Sequence, residues 1–260
     1  MDIVVCVKRV PLTEEVDLVI DAQKKGVKKD QLAFVLNDWD NYAVEEAILL
    51  KEKHGGTVTA ITIGNEDDEE VLRRCLAMGA DRAVRVEVGD VSRFDSFGIA
   101  KILARVVKDL PHDLVFAGVL ADDDNCGMVG MLTAEELNLN HSCMVTAMEL
   151  VDGKVRTTSE LEGGLGEVSV VDLPALLTIQ TGVNEPRYVS ILGIRKAAKK
   201  ELKVMDLTEI GISDEELAPR AIIEEVYLPP QTEGAQILTG DTDKIASDFV
   251  EILTKKGVMG

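Results

Sequence analysis

The hydrophobic positions of the chain fall into short unbroken runs separated by longer segments of helical period. The first run, Ile3-Val4-Val5-Cys6-Val7, is β-rich and alternates little, which predicts a central strand over residues 2–7 covered on both faces. Lys8-Arg9-Val10-Pro11 closes it, and a polar excursion to about Asp30 follows, with a hairpin around Val16–Val27. Asn37-Asp38 has the chemistry of a helix N-terminus. Beyond it Ala43, Val44, Ala47, Ile48 and Leu50 make one apolar face, and Gly55-Gly56 ends the helix. Thr57–Ile63 is a second strand and Asp67–Met78 a second helix, with Gly79 as its C-cap. Ala83–Val88 and Ser96–Leu110 repeat the pair, and Leu114–Gly118 is a fourth strand. An acidic loop then leads to a periodic segment through Met131, Leu132 and Leu137. Strands alternating with helices over short connections predict an α/β protein with a doubly wound, mainly parallel sheet of Rossmann-like type.

After Asn140 the period changes. Cys143–Val151, a turn at Asp152-Gly153, Lys154–Leu161, a glycine-rich turn (Gly163, Gly164, Gly166) and Glu167–Asp172 predict an added antiparallel meander. Leu176–Thr181 is a further strand. From Asn184 to Ile194 a loop with exposed apolar residues is expected, running into the basic Arg195-Lys196-Ala197-Ala198-Lys199-Lys200. Apolar residues beside a local charge reversal suggest a partner site; a Pro-stiffened connection before a solvated helix is the plainer alternative. Residues 1–205 are expected to form one domain. Residues 206–260 form an extended C-terminal arm with acidic patches, Pro229-Pro230 and a last amphipathic helix, Asp243–Lys255. So few core residues would be marginal alone, and the arm is expected to lie against a second subunit.

Charge narrows the classes. A formal net charge of -19 is wrong for a nucleic-acid surface or for docking on anionic lipid. The longest apolar runs have strand length, so no membrane insertion is expected. Asp2 enters the first run directly, without the pattern of a secretory signal. The 4 cysteines (Cys6, Cys75, Cys126, Cys143) contain no C-x-x-C pair, which suits a reducing compartment, the cytoplasm or a mitochondrial matrix. The 3 histidines lack metal-ligand spacing, and no metal site is expected. No catalytic constellation needs explaining either: there is no Ser-His-Asp arrangement or paired catalytic acid.

The stretch Leu114 to Glu136 carries the chemistry that remains. Strand, acidic loop (Asp122, Asp123, Asp124), Asn125-Cys126-Gly127 and helix follow in that order. In a parallel sheet such a junction aims unpartnered helix amides at the crevice beyond the strand ends, where a phosphate is a natural guest. Gly127 and Gly130 leave room for close approach. The competing reading is a helix start capped by Asp or Asn that binds nothing.

Several stretches together resemble the small (beta) subunit of electron transfer flavoprotein, nearly from end to end. They are Lys8-Arg9-Val10-Pro11 after the first strand, Asn37-Asp38-Trp39-Asp40-Asn41-Tyr42-Ala43-Val44-Glu45-Glu46-Ala47, Leu76-Ala77-Met78-Gly79-Ala80-Asp81-Arg82-Ala83, the Asp123-Asp124-Asn125 loop, and Asn184-Glu185-Pro186-Arg187-Tyr188 running into Lys199-Lys200. The resemblance implies an adenine-nucleotide-binding fold and a heterodimer whose large (alpha) subunit carries most of an FAD. It implies that electrons pass from acyl-CoA or other dehydrogenases through that flavin, with no bond-making by this chain. A structural AMP, or a second FAD in electron-bifurcating relatives, would lie against Val7, Lys8, Asn37, Ile63, Asp123, Cys126, Gly127, Met128 and Val129. Backbone amides of Gly127, Met128 and Val129 would hold phosphate, while Asn37 and Asp123 would hold polar groups. Bifurcating relatives commonly read Asp-Gly-Asp where this chain has Asp123-Asp124-Asn125, which leans towards AMP. Thr13, in an altered Pro11-Leu12-Thr13, and Trp39 would stand near the partner's flavin; for Trp39 a helix-entry staple in this subunit's own core is the alternative. Glu185, Pro186, Arg187, Tyr188, Ile191, Leu192 and Ile194 would form the dehydrogenase-recognition loop, with Ile191 as the apolar anchor. ATP-binding stress proteins and nucleotide hydrolases share the strand–helix pattern. They would want a Ser/Gly-rich loop after the first strand or a spaced glycine loop after the fourth, and neither is present.

Overall fold

A computed structural model describes residues 1–14, 16–30, 32–230 and 234–259. The unbroken first run becomes β1 (Asp2–Cys6), buried on both faces. Ile3 and Val5 enter one core layer, Val4 and Cys6 the other. A short antiparallel ribbon follows, β2 (Arg9–Pro11) with β3 (Phe34–Leu36), and the expected hairpin is present as a bridge between Ile20 and Val27. Next come α1 (Asp38–His54), β4 (Thr57–Gly64), α2 (Glu69–Met78), β5 (Arg82–Glu87), α3 (Ser96–Lys108), β6 (Leu114–Gly118) and α4 (Val129–Leu137). The chain then forms β7 (Asn140–Val151), β8 (Lys154–Leu161), β9 (Leu165–Asp172), β10 (Ala175–Ile179), α5 (Ile191–Ala197) and β11 (Leu202–Asp206).

Among the described residues, nine strands join one sheet in the order β11-β5-β4-β1-β6-β10-β7-β8-β9, parallel from β11 through β7 and antiparallel beyond. Apolar residues of α1 and α2 cover one face with Ile3, Val5, Phe116 and Leu177; those of α3 and α4 cover the other with Val4, Ile61, Val115 and Leu176. This is the doubly wound arrangement that continuous apolar strands require. From β1 the chain moves outward to β4 and β5, then crosses back to β6 on the other flank of β1. The strand order reverses between β1 and β6, so their C-terminal ends open a crevice.

The meander extends the main sheet rather than forming a separate layer. Ile179, the last residue of β10, pairs with Val145, while β7 continues to Val151. The β7–β8 hairpin therefore projects past the ends of the parallel strands. Two features differ from expectation. β11 pairs with β5 as an edge strand, mostly exposed, so its sequence carries no burial pattern to announce it. The first compact unit runs to Glu224, beyond the boundary expected after residue 205. Ile210, Ile212 and Leu217 join the core layer beside α3, and Glu216 accepts from Lys101 and Arg105 of that helix.

Residues 225–260 form a second unit, which holds α6 (Thr242–Lys255), capped at its start by Asp241. Of the arm, residues 231–233 and 260 lie outside the described residues.

Candidate functional site

Local sequence brings three segments to the β1–β6 crevice. The first turn of α1 carries Asp40, 5% exposed, whose carboxylate accepts from the amides of Lys8 at 2.7 Å and Gly118 at 2.9 Å. One side chain thus ties the ends of both strands to α1. A side chain at 118 would collide with Asp40 and with the Cβ of Trp39, so only glycine permits this approach. Burial, partly offset by the two amides, pushes Asp40 up to about 7. Burial and then the Asp40 charge push the Cys6 thiol up to about 12, which leaves it inert.

The second segment is Asn37, fully buried at the head of α1. Its amide nitrogen donates to Leu120 O at 2.8 Å, and its oxygen accepts from Asp122 N at 3.2 Å. Both ends of the side chain are committed to the loop after β6, so Asn37 shapes that loop from below. Lys8 pins the same loop through Nζ, 2.5 Å from Asp123 Oδ1 and 2.8 Å from Asp124 Oδ2. Burial alone would depress Lys8, but the two carboxylates outweigh it and hold its pKa above the ordinary value. Asp124 is lowered: burial opposes this, and the Cys126 amide and Lys8 overcome it.

The third segment is the exposed turn Asn125–Met128, which ends in α4. Among the described residues no side chain caps α4, so the Asp or Asn cap that the plainer reading required is absent and the first-turn amides are left without one. Gly130 serves packing rather than ligand access, because a Cβ there would strike Thr178 of β10.

The structure gathers most of the sequence-predicted pocket at one edge of the sheet. Val7 is buried, its amide donating to Ile61 O and its carbonyl accepting from Thr62 Oγ1. Ile63 is half-buried near the end of β4, two positions beyond the Cys6–Ile61 pair. Lys8 and Asn37 hold the loop that carries Asp123, Cys126, Gly127 and Met128, and Val129 begins α4. Thr13 is exposed beyond β2. Trp39 is half-buried, and its indole Nε1 donates to Gln180 Oε1 at 2.7 Å.

Segment 184–200 is strapped across α1 and α2. Asn184 donates to Tyr42 O and Glu46. Arg187 makes a fork with buried Glu45 at 2.9 to 3.1 Å and a second with Glu52, which together hold its pKa above the ordinary value. Lys200 donates to Leu76 O and Ala80 O at the end of α2, while Arg73 reaches back to Ala197 O and Lys200 O. Between these clips Tyr188 is 92% exposed, Ile191 70% and Leu192 62%. Glu185 and Ile194 are also exposed and Pro186 is half-buried. The expected loop ends sooner than residue 194, because Ser190 accepts from Gly193 N and starts α5 at Ile191. Sequence reasoning missed the committed roles of Asp40, Glu45 and Gln180; only the Asn37–Asp40 spacing at a helix start hinted at the first.

Fold and crevice define a doubly wound, Rossmann-like α/β protein with its opening at the β1–β6 switch point. A family profile described as the electron transfer flavoprotein domain matches residues 26–210. The chain is 37% identical over 254 residues to electron transfer flavoprotein subunit beta of Bacillus subtilis, covering 97% of each. It is 33% identical over 254 residues to the human subunit beta, covering 96% of this chain and 97% of the other. It is also 33% identical over 265 residues to the caffeyl-CoA reductase-Etf complex subunit CarD of Acetobacterium woodii, covering 100% of both. The chain belongs to the electron transfer flavoprotein beta-subunit family. It is thus the small subunit of a flavoprotein heterodimer, with an alpha subunit as its partner. No helix among the described residues is long and apolar enough to cross a membrane.

Proposed function

We propose that the β1–β6 crevice holds an adenine nucleotide, AMP, as a structural ligand beneath an electron-carrying FAD borne mainly by the alpha subunit. The observation that carries this is the uncapped start of α4, held open by a loop that Asn37 and Lys8 pin in place. Amides of Gly127, Met128 and Val129 take the phosphate, with the dipole of α4 behind them. Val7, Lys8, Ile63, Asp123 and Cys126 wall the site, and Asn37 acts through the loop. Lys8 is already committed to two of three neighbouring aspartates, so the loop stays acidic. The sequence Asp123-Asp124-Asn125, where bifurcating relatives commonly read Asp-Gly-Asp, leans towards AMP rather than a second FAD. The FAD supplies one- and two-electron chemistry; this chain's part is to position, exclude water and select partners. The exposed apolar residues at 188–194 serve as the docking point for acyl-CoA or other dehydrogenases, and the arm engages the alpha subunit. Four free cysteines suit the cytoplasm or a mitochondrial matrix.

The test is to denature the purified heterodimer and quantify the released nucleotides chromatographically. One FAD and one AMP are expected per heterodimer. Two FAD without AMP would make this a bifurcating-type subunit and overturn the argument from Asp124, while ATP in the crevice would return the chain to the hydrolase and stress-protein class.

A further inference from the structure

We propose that Gln180 is a positioning residue for the flavin site: it fixes the indole of Trp39 at the rim of the sheet by linking it to the meander. The inference rests on the reading that places Trp39 beside the partner's flavin. The geometry is specific. Gln180 Oε1 accepts from Trp39 Nε1 at 2.7 Å and from Thr181 N at 2.9 Å, and Nε2 donates to Glu160 Oε2 at 2.9 Å. Indole and backbone N–H only donate, and a carboxylate only accepts. A flipped amide would therefore lose all three bonds, so the partners dictate one orientation.

The three residues come from three elements: Trp39 from the first turn of α1, Gln180 from just after β10, and Glu160 from β8. The backbone under Trp39 is already set, because Gly118 lets the turn seat against β6 and Asp40 ties it there. What remains free is rotation about the two side-chain bonds of Trp39. A hydrogen bond to the indole N–H, which lies off the axis of both bonds, restrains both rotations together. Glu160, itself exposed, adds a charged acceptor, and charge-assisted bonds are the stronger kind. β8, at the base of the meander, thereby becomes the support of an aromatic ring on α1. Neither end of this chain lies within the phosphate loop, so the relay acts on the flavin side without touching the nucleotide cradle.

Trp39 is the only tryptophan of the chain. Full-length chain labelled with fluorotryptophan and reassembled with unlabelled alpha subunit therefore gives one fluorine resonance to follow. The parent should show a single narrow line that shifts when the flavin is reduced. Gln180→Leu should broaden or split that line, with alternative ring orientations about fivefold more populated, the equivalent of one net hydrogen bond of ~1 kcal/mol. Glu160→Gln, a change at the exposed end of the relay, should move it in the same sense and serves if Gln180→Leu folds poorly. Line shapes identical to the parent's in both variants, while the parent still responds to flavin reduction, would overturn the role of Gln180. A parent line indifferent to flavin reduction would instead remove Trp39 from the flavin, and with it the reading on which the inference rests.

Discussion

Asp40 places a carboxylate where water cannot reach it, and its ionisation has a consequence for stability. Its folded pKa is raised from 3.8 to about 7, chiefly by burial. The native state therefore holds a proton that the unfolded chain has released between those values. By linkage the contribution is fully present below 3.8, is lost as pH rises towards 7, and is constant above that. At ~1.4 kcal/mol for each pKa unit, the loss amounts to about 4 kcal/mol at most. Thermal unfolding of parent and Asp40→Asn across that range should show the parent losing stability relative to the variant as pH rises, with parallel curves at higher pH. Parallel curves throughout would show that Asp40 does not titrate there. This carboxylate was not legible in the sequence as a site residue. Its neighbours along the chain are an ordinary helix start, and its two amide partners come from Lys8 and Gly118, which only the folded sheet brings together. Gln180 was hidden for the same reason. Lys8, Asn37 and the loop from Asp123 to Val129 were legible because each follows a strand or precedes a helix, and in a parallel sheet such positions share one edge.

Segment 184–200 combines two kinds of residue that look alike in sequence. Arg187 and Asn184 are clips whose partners lie on α1, whereas Tyr188, Ile191 and Leu192 have no such burial. Their substitutions should separate. Arg187→Met leaves Glu45, 3% exposed, without its cation; breaking a buried pair in this way typically costs about 3–5 kcal/mol. Solvent still reaches Arg187, so the lower end applies, and a lowered midpoint in urea unfolding is the expected result. Ile191→Ala should leave that midpoint in place yet weaken dehydrogenase docking by roughly thirtyfold, the scale of an apolar hot spot of about 2 kcal/mol. Equal docking by parent and Ile191→Ala, measured by titration against a dehydrogenase partner, would exclude the segment from recognition. The elements of the first unit were readable because covered strands and amphipathic helices carry different periods. β11 and the β2–β3 ribbon were not: an exposed edge strand and a ribbon with three-residue strands bury too little to leave a pattern.

Across the whole molecule the apolar side chains are divided unequally between two compact units. In Met1–Glu224 the runs and helix faces are absorbed into two core layers against the sheet. In Glu225–Gly260, among the described residues, α6 buries no side chain, and Tyr227, Leu228, Ile237 and Phe249 are all more than half exposed. A segment of this composition does not recover the entropy of ordering by its own contacts. Exposed large apolar groups at this density mark a surface that another protein covers. On the reading proposed above, that protein is the alpha subunit. Ending the chain after Glu224 should therefore leave the first unit folded, because among the described residues its core layers contain none beyond Leu217. The same truncation should abolish or strongly weaken assembly with the alpha subunit. Unfolding curves of the truncated and full chains test the first expectation, and sedimentation of each with purified alpha subunit tests the second. A truncated chain that still assembles normally would place the heterodimer contact on the first unit, and the apolar residues of α6 would then need another partner.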